Sequence, residues 1–463
     1  MGAAIKRSAP EAAMHPAPPR HRTDLASLLA FAGPCLPLAA IGLPLVVHLP
    51  SYYAGHLGLP LGAVGLAFTF VRLIDIGFDP LLGGLMDRSR SRLGRFRLWL
   101  ILSAPVLMLA AWMLFMAEPG VGVVHLWIWL AVVYVGFSMG SLAQTAWAAV
   151  LSNDYNERSR IYGWWQTGNV LGIILVLLLP PILSLGFHQG EEAGVKAMGW
   201  FIILLLPVTI ALACWRVGEP KIPTDRERGR AGDYFRLMLR PTVARLIVVD
   251  LLLGWAPGVT GILYLFYFDQ IKHMGPSQAN ILLLGFFVAG LVFGPVWWAL
   301  AERIGKHRAL AASAATMVAG ELAVMVIPFP SVGVAMAVIA FAGISYSGSL
   351  LLRSMMADAS DELRLETGRD RTGLLYALLT ATTKIGTALA GLTFVGLDLV
   401  GFHGGGGNSA TALLWLQIMF IGTPALASAL AAWLILGHRL DARRHGEILA
   451  ALAAKSLLPA AAE

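Results

Sequence analysis

RLIDIGFDPLLGGLMDRSRSRLGRFR, residues 72–97, opens inside an apolar run and closes in a basic cluster. Its first half reads as part of a membrane-crossing helix, yet it holds Arg72, Asp75 and Asp79 at spacings of three and four residues, which share one helix face. A charge at the centre of a helix in hydrocarbon costs about 2.5 to 3.5 kcal/mol on insertion scales. Ionisable groups kept at that cost line an internal cavity, pair with one another and mark ion or substrate paths. The stretch therefore points to a bundle of membrane helices around a charged, ion-handling interior.

Composition extends that reading to the whole chain. Of 463 residues, 57% are hydrophobic and 13% charged, about half the charged share of an ordinary soluble domain. A crossing helix needs about 20 mostly apolar residues, and such runs occur at roughly 25–48, 61–86, 98–117, 122–152, 161–187, 197–216, 243–270, 277–301, 309–328, 331–357, 372–400 and 409–437. The expected fold is an all-α membrane protein with twelve transmembrane helices, because in lipid each span must satisfy its own backbone hydrogen bonds. The bilayer is then its first partner.

The net charge of +7 sets orientation and does not imply nucleic acid. With twelve spans, all but four of the 34 Lys and Arg residues fall in the tails and loops of one side. Lys196 and Lys272 lie on the other side, and Arg72 and Lys384 lie within spans. By the positive-inside rule both termini are expected in the cytoplasm, with the inner membrane of a bacterium as the expected location. Residues 1–24 read as a flexible cytosolic tail and 438–463 as a cytosolic tail. Cys35 and Cys214 fall in separate spans and read as small core residues. The run Gly404 to Gly407 reads as flexible linker.

The longest polar connection, residues 217–242 with KIPTDRERGR at its centre, divides the chain into bundles at 25–216 and 243–437. The loop after span 2 reads DRSRSRLGRFR and the loop after span 8 reads ERIGKHR. Each has an acid, then bases, then Gly followed by bases. That agreement predicts two pseudo-symmetric six-helix bundles with a site at their interface near the midplane.

At this point the sequence resembles a known family. The 72–97 block, together with AWAAVLSNDYNERSRIYGWWQ (146–166), WWALAERIGKHRAL (297–310) and MMADASDELRLETGRDRTGLLYALLTATTKIGTALAG (355–391), is similar in order and spacing to the glycoside-pentoside-hexuronide:cation symporters, the melibiose permease branch of the major facilitator superfamily. The resemblance runs from about residue 25 to 437. It implies the major facilitator fold, Asp75 and Asp79 as coupling-cation carboxylates, and Lys384 facing them from span 11. Physical chemistry supports those roles independently: two hard anionic donors on one face suit Na⁺ or a proton, and a buried ammonium offsets them until a cation arrives. The plainer reading makes Arg72, Asp75, Asp79 and Lys384 an internal salt-bridge lattice.

The sequence also departs from the family. Where the resemblance implies sugar-binding acids on spans 1 and 4 and an Arg on span 5, Ala39, Ser141 and Gln166 stand here. Phe78 takes the place of a polar residue before the second Asp, which removes an oxygen ligand for Na⁺ and favours H⁺ as the coupling ion, with Na⁺ the alternative. Gln144, Thr145, Trp147, Gln166, Trp255 and Tyr346 are candidates for the substrate pathway. Asp87, Arg88, Arg95, Arg97, Asp154, Glu157, Arg158 and Asp358 are candidates for a cytosolic gate, because acids recur among the bases. Asp250 reads as a gating or helix-start residue, and Glu321 as a packing partner or a lipid-facing oddity.

The expected function is cation-coupled symport of a sugar, glycoside or other small organic solute. The alternative is transport of a lysolipid or other amphiphile on the same scaffold. A membrane enzyme or sensor is remote, because no phosphate loop, His-Glu-x-x-His pair or large soluble domain is present.

Overall fold

The computed structural model describes residues 24–457 except 90, 152–154, 220–237, 369–370, 439 and 441. It contains twelve helices long and apolar enough to cross a membrane: Leu25–His56, Leu61–Met86, Arg95–Phe115, Val123–Ala148, Arg160–Gly186, Glu192–Arg216, Pro241–Gln270, Pro276–Ile304, Lys306–Val326, Val332–Thr367, Leu374–Leu399 and Ala410–Leu436. These are spans 1 to 12 below. An even number of crossings puts both termini at one end of the bundle. A further helix, Ala442–Leu457, follows span 12 and packs on the end of span 10, so the second tail is structured over most of its length. Asp24, the last residue of the expected first tail, caps span 1 by accepting from the Ser27 N–H. That bond and the ion pair to Arg216 hold its carboxyl down, at about 2.

Several spans are broken where sequence and packing demand it. Span 1 is interrupted at Gly33 and Pro34, then ends in a wide turn over Tyr52–His56. Span 5 ends in a similar turn after Pro180 and Pro181. Span 10 tightens to a 3₁₀ segment at Ile344–Ser349, and span 11 is interrupted around Ala390 and Gly391. The interruptions of spans 1, 10 and 11 are packed largely against other helices, where irregular backbone is tolerated.

Spans 1–6 and 7–12 form two halves that meet along a seam, and the seam is not uniform. One hydrophobic core runs through the first half and continues across the seam into Val259, Leu263, Leu282, Phe394, Leu397 and Phe420, at the end of the second half far from the termini. The part of the second half nearest the termini has its own separate core, with Leu246, Ala309, Met356 and Leu379 among its members. Between described residues, the side-chain hydrogen bonds that join the halves are His48 to Asn280 and Lys384 to Asp75, Asp79 and Ser138. Spans 5 and 8, which face each other across the seam, are the least buried of the twelve, and between mid-depth and the termini they expose Gln166, Thr167, Leu291 and Val292. The halves are therefore closed at the far end and parted toward the termini.

Small residues make the closure possible, as expected where lipid supplies no hydrophobic drive between helices and packing must. A Cβ on Gly65 of span 2 would fall on the carbonyl oxygen of Gly391 and 2.6 Å from the Phe394 Cβ. One on Gly404 would lie 2.9 to 3.0 Å from the backbone of Ala54 and Gly55. The Gly404 to Gly407 run is thus no free linker: its first residue presses backbone to backbone on the end of span 1. Cys35 and Cys214 are buried free thiols.

Gly391→Ala and Gly65→Ala should each destabilise the detergent-solubilised protein by about 1–3 kcal/mol through overpacking, seen as a lower thermal midpoint. Gly83→Ala, whose Cβ meets nothing within 4 Å, should leave the midpoint unchanged or raise it.

Candidate functional site

The charged groups singled out in span 2 meet their partner from the other half. Lys384 reaches across the seam and its Nζ donates to Asp75 Oδ2 at 2.8 Å and Asp79 Oδ2 at 2.6 Å. It also lies 3.4 Å from Ser138 Oγ of span 4, and that hydroxyl donates to Asp75 Oδ1 at 2.9 Å. The side chains of Asp75, Lys384 and Asp79 are 1%, 12% and 20% exposed, so water screens little of their interaction. Asp79 Oδ1 is buried without a hydrogen-bond partner among the described residues. Two carboxylates and one ammonium leave this cluster with one net negative charge, which a single cation would neutralise.

The backbone explains the meeting. Asp75 and Asp79 are one turn apart near the middle of span 2, and Pro80 is accommodated within the helix. Gly65, Thr69 and Gly391 bring spans 2 and 11 together at the far end, so Lys384, two turns from Gly391, is delivered opposite the acids. Asp250 of span 7 holds span 11 from behind: its Oδ2 accepts from Thr382 and Thr383 Oγ1, both at 2.7 Å. It ties spans 7 and 11 from within span 7, well inside the helix and not at its start.

Arg72 is not one of the groups that hold the acids. Its guanidinium lies 4.8 Å from the centroid of the Tyr134 ring, and no ion pair joins it to a carboxylate among the described residues. Phe78 also differs from expectation. It is 38% exposed and walls an apolar cavity of about 240 Å³ with Ile74, Val106, Tyr134 and Val135, with Asp75 at one edge. An amide there would not join the face that Lys384 binds. Ser138 does join it, and no spacing in the sequence announced a serine 63 residues from Asp75.

The pathway candidates divide. Gln144 is buried and donates to the Phe31 carbonyl oxygen and Cys35 Sγ, both at 3.0 Å. Trp147 is fully buried, edge-on to Phe31 and donating to the Gly218 carbonyl oxygen at 3.4 Å. Both are packed within the first half in this conformation. Thr145 and Gln166 are exposed. Trp255 lies between the two cores, its Nε1 buried and without a partner among the described residues. Tyr346 is 46% exposed and packs edge-on against Phe286 and Phe287 of span 8. Glu321 is buried and accepts from Thr260 Oγ1 at 3.3 Å, so it faces the bundle and not lipid.

The basic and acidic residues near the termini are tied within their own halves. Glu219, which the sequence did not single out, accepts from the backbone N–H groups of Arg95, Phe96 and Arg97 at 2.7 to 3.1 Å. Its carboxylate thereby satisfies the open N-terminus of span 3 and meets the positive end of its dipole. Arg97 donates to the Cys214 carbonyl oxygen, binding span 3 to span 6, and Arg95 stacks on Phe96. Glu157 pairs with Arg160 at 3.5 Å. Asp358 accepts from Lys306 at 2.6 and 2.8 Å and lies 3.7 Å from His445, which also reaches Asp361 at 3.0 Å. Arg88 is exposed. Asp154 and the side chains of Asp87 and Arg158 lie outside the described residues.

A bundle of twelve apolar helices in two halves, parted at one end and joined by a buried ion cluster at mid-depth, is an integral membrane transporter of the major facilitator type. The chain belongs to the family described as MFS/sugar transport protein, which matches residues 30–442. Among relatives it is 25% identical to the symporter YnaJ of Bacillus subtilis over 86% of this chain and 88% of that one. It is 21% identical to the isoprimeverose transporter of Lactiplantibacillus pentosus over 85% and 84%. The fold is similar to the nucleoside transporter NupG, with a TM-score of 0.65 at 12% identity over 90% of this chain and all of that one. It is also similar to a bacterial homologue of the human lysosomal transporter Spinster in an inward-facing, unoccupied conformation, with a TM-score of 0.62 at 13% identity over 90% and 98%.

Breaking a buried pair leaves an uncompensated charge and typically costs about 3–5 kcal/mol. Lys384→Ala should therefore lower thermal stability sharply, and Lys384→Ala combined with Asp75→Asn should recover part of the loss. A double-mutant cycle measures this coupling; additive losses would mean that the observed contact contributes nothing to stability.

Proposed function

We propose that this transporter is a cation-coupled symporter of a sugar, glycoside or related small organic solute, working by alternating access. The observation that carries the reading is Lys384 bridging Asp75 and Asp79 across the seam. While the acids are held only by Lys384 the cluster keeps a net negative charge, and rearranging the seam around that charge in a low dielectric is costly. A cation on Asp79 neutralises the cluster and frees Lys384 to let the halves rock. Solute class is supported by relatives whose names are isoprimeverose transporter, lactose permease and raffinose carrier protein.

The coupling ion in this reading is H⁺. Na⁺ needs a shell of oxygens, and the cluster offers Asp75, Asp79 and Ser138, whereas a proton needs one carboxylate. The termini lie in the cytoplasm of a bacterial inner membrane, in line with the positive-inside rule, so the conformation described above is inward-facing. Closing that end would bring the exposed Gln166 and Thr145 of the first half toward Tyr346 of the second.

One observation favours amphiphile transport as a second reading: the apolar cavity beside Phe78 adjoins Asp75. Competition of lysolipid against sugar uptake would separate the two, since inhibition by lysolipid together with its own accumulation would replace the sugar reading.

Asp79→Asn should abolish gradient-driven accumulation in proteoliposomes, a loss of at least about tenfold, while solute exchange without a gradient persists. Wild-type uptake should run on an inward proton gradient without Na⁺. Uptake that appears only with an Na⁺ gradient at constant pH would reassign the ion, and Ser138→Ala should then weaken the Na⁺ response most.

A further inference from the structure

The far end of the seam contains a second polar site that the central cluster does not use. His48 of span 1 and Asn280 of span 8 are 3% and 1% exposed and share a hydrogen bond of 2.7 Å from His48 Nε2 to Asn280 Oδ1. With the Asn280 oxygen turned toward the ring, Nε2 donates and Nδ1 is left as an acceptor. Nδ1 is buried and has no partner among the described residues. A buried acceptor without a donor costs about 1–3 kcal/mol, so a feature of this kind calls for an explanation.

His48 and Asn280 line a cavity of about 220 Å³ at the seam, walled also by Ser51, Ser184, Asp269 and Ser277 and floored by the backbone of Gly404 and Gly405. It draws on both halves: spans 1, 5 and 6 on one side, spans 7 and 8 and the loop before span 12 on the other. Its walls are rich in acceptors. Glu192 is already taken by Lys196 at 2.5 Å and by His56 at 3.5 Å, whereas Asp269 makes no ion pair among the described residues. A ligand suited to these walls is small, neutral and rich in O–H donors.

We infer that this cavity is an outward-facing docking site for a single neutral sugar ring, with hydroxyls donated to Asp269, Ser51 and Ser184 and the His48–Asn280 pair holding the wall between the halves. The inference rests on the symporter reading and the orientation proposed above. An occupant touches residues of both halves and binds before the seam opens. Its contacts differ between closed and open seams, so it can bias which is populated.

The test uses Ser277→Cys in right-side-out vesicles. Cys35 and Cys214 are buried, so a membrane-impermeant maleimide reports on the new thiol. Glucose, galactose and xylose are each added at about 100 mM, which fills even a millimolar site. At least one should slow labelling by about threefold or more through occupancy, and His48→Phe or Asn280→Ala in the same background should remove the protection. If no sugar protects, or if protection survives both substitutions, the site is overturned. Uptake of the same sugars is measured in parallel. Uptake without protection overturns this site alone, whereas protection without uptake supports the site and counts against the symporter reading.

Discussion

One ammonium between two carboxylates organises this molecule. Lys384 comes from the second half and Asp75 and Asp79 from the first, so the strongest polar interaction at mid-depth is also the link between the two bodies. Buried charges are costly unless paired and hydrogen-bonded. Here Ser138 completes Asp75, and the remaining oxygen of Asp79 is the least satisfied point of the cluster. That asymmetry distinguishes the two acids in this structure: Asp75 is bonded through both oxygens and Asp79 through one.

Everything around the cluster serves to make that link conditional. On the far side the halves share one continuous core and press glycine against glycine, with His48 and Asn280 closing the seam. Toward the termini the ties are within each half: Glu219 on the start of span 3, Arg97 on span 6, and Lys306 and His445 on span 10. Toward the termini the halves are thus tied within themselves, and their side-chain links to each other lie at mid-depth and at the far end.

The departures from expectation have a common cause. Gln144 and Trp147, polar and aromatic residues near the end of span 4, are turned by helix rotation into the first half, where Phe31 and the Gly218 carbonyl receive them. Phe78 directly precedes Asp79, and neighbouring positions on a helix point about 100° apart, so it turns toward the apolar cavity; Arg72, one turn before Asp75, lies over the Tyr134 ring instead of against a carboxylate. Asp250 and Glu321, polar residues of unclear purpose in the chain, acquire partners in Thr382, Thr383 and Thr260.

Twelve apolar runs of spanning length, the recurrence of a basic loop after spans 2 and 8, and charges at i and i+4 inside span 2 determined the architecture, the two halves and the central acids. Those are local properties, because hydropathy and helical periodicity act over a few turns and a span in lipid satisfies itself. Which residues meet across the seam was decided only by tertiary structure. Ser138, Glu219, the pairing of Asp358 with Lys306, and the contact of Gly404 with span 1 depend on helix rotation and on how closely two backbones can approach. Those quantities are set by packing over tens to hundreds of residues, which no spacing along the chain encodes.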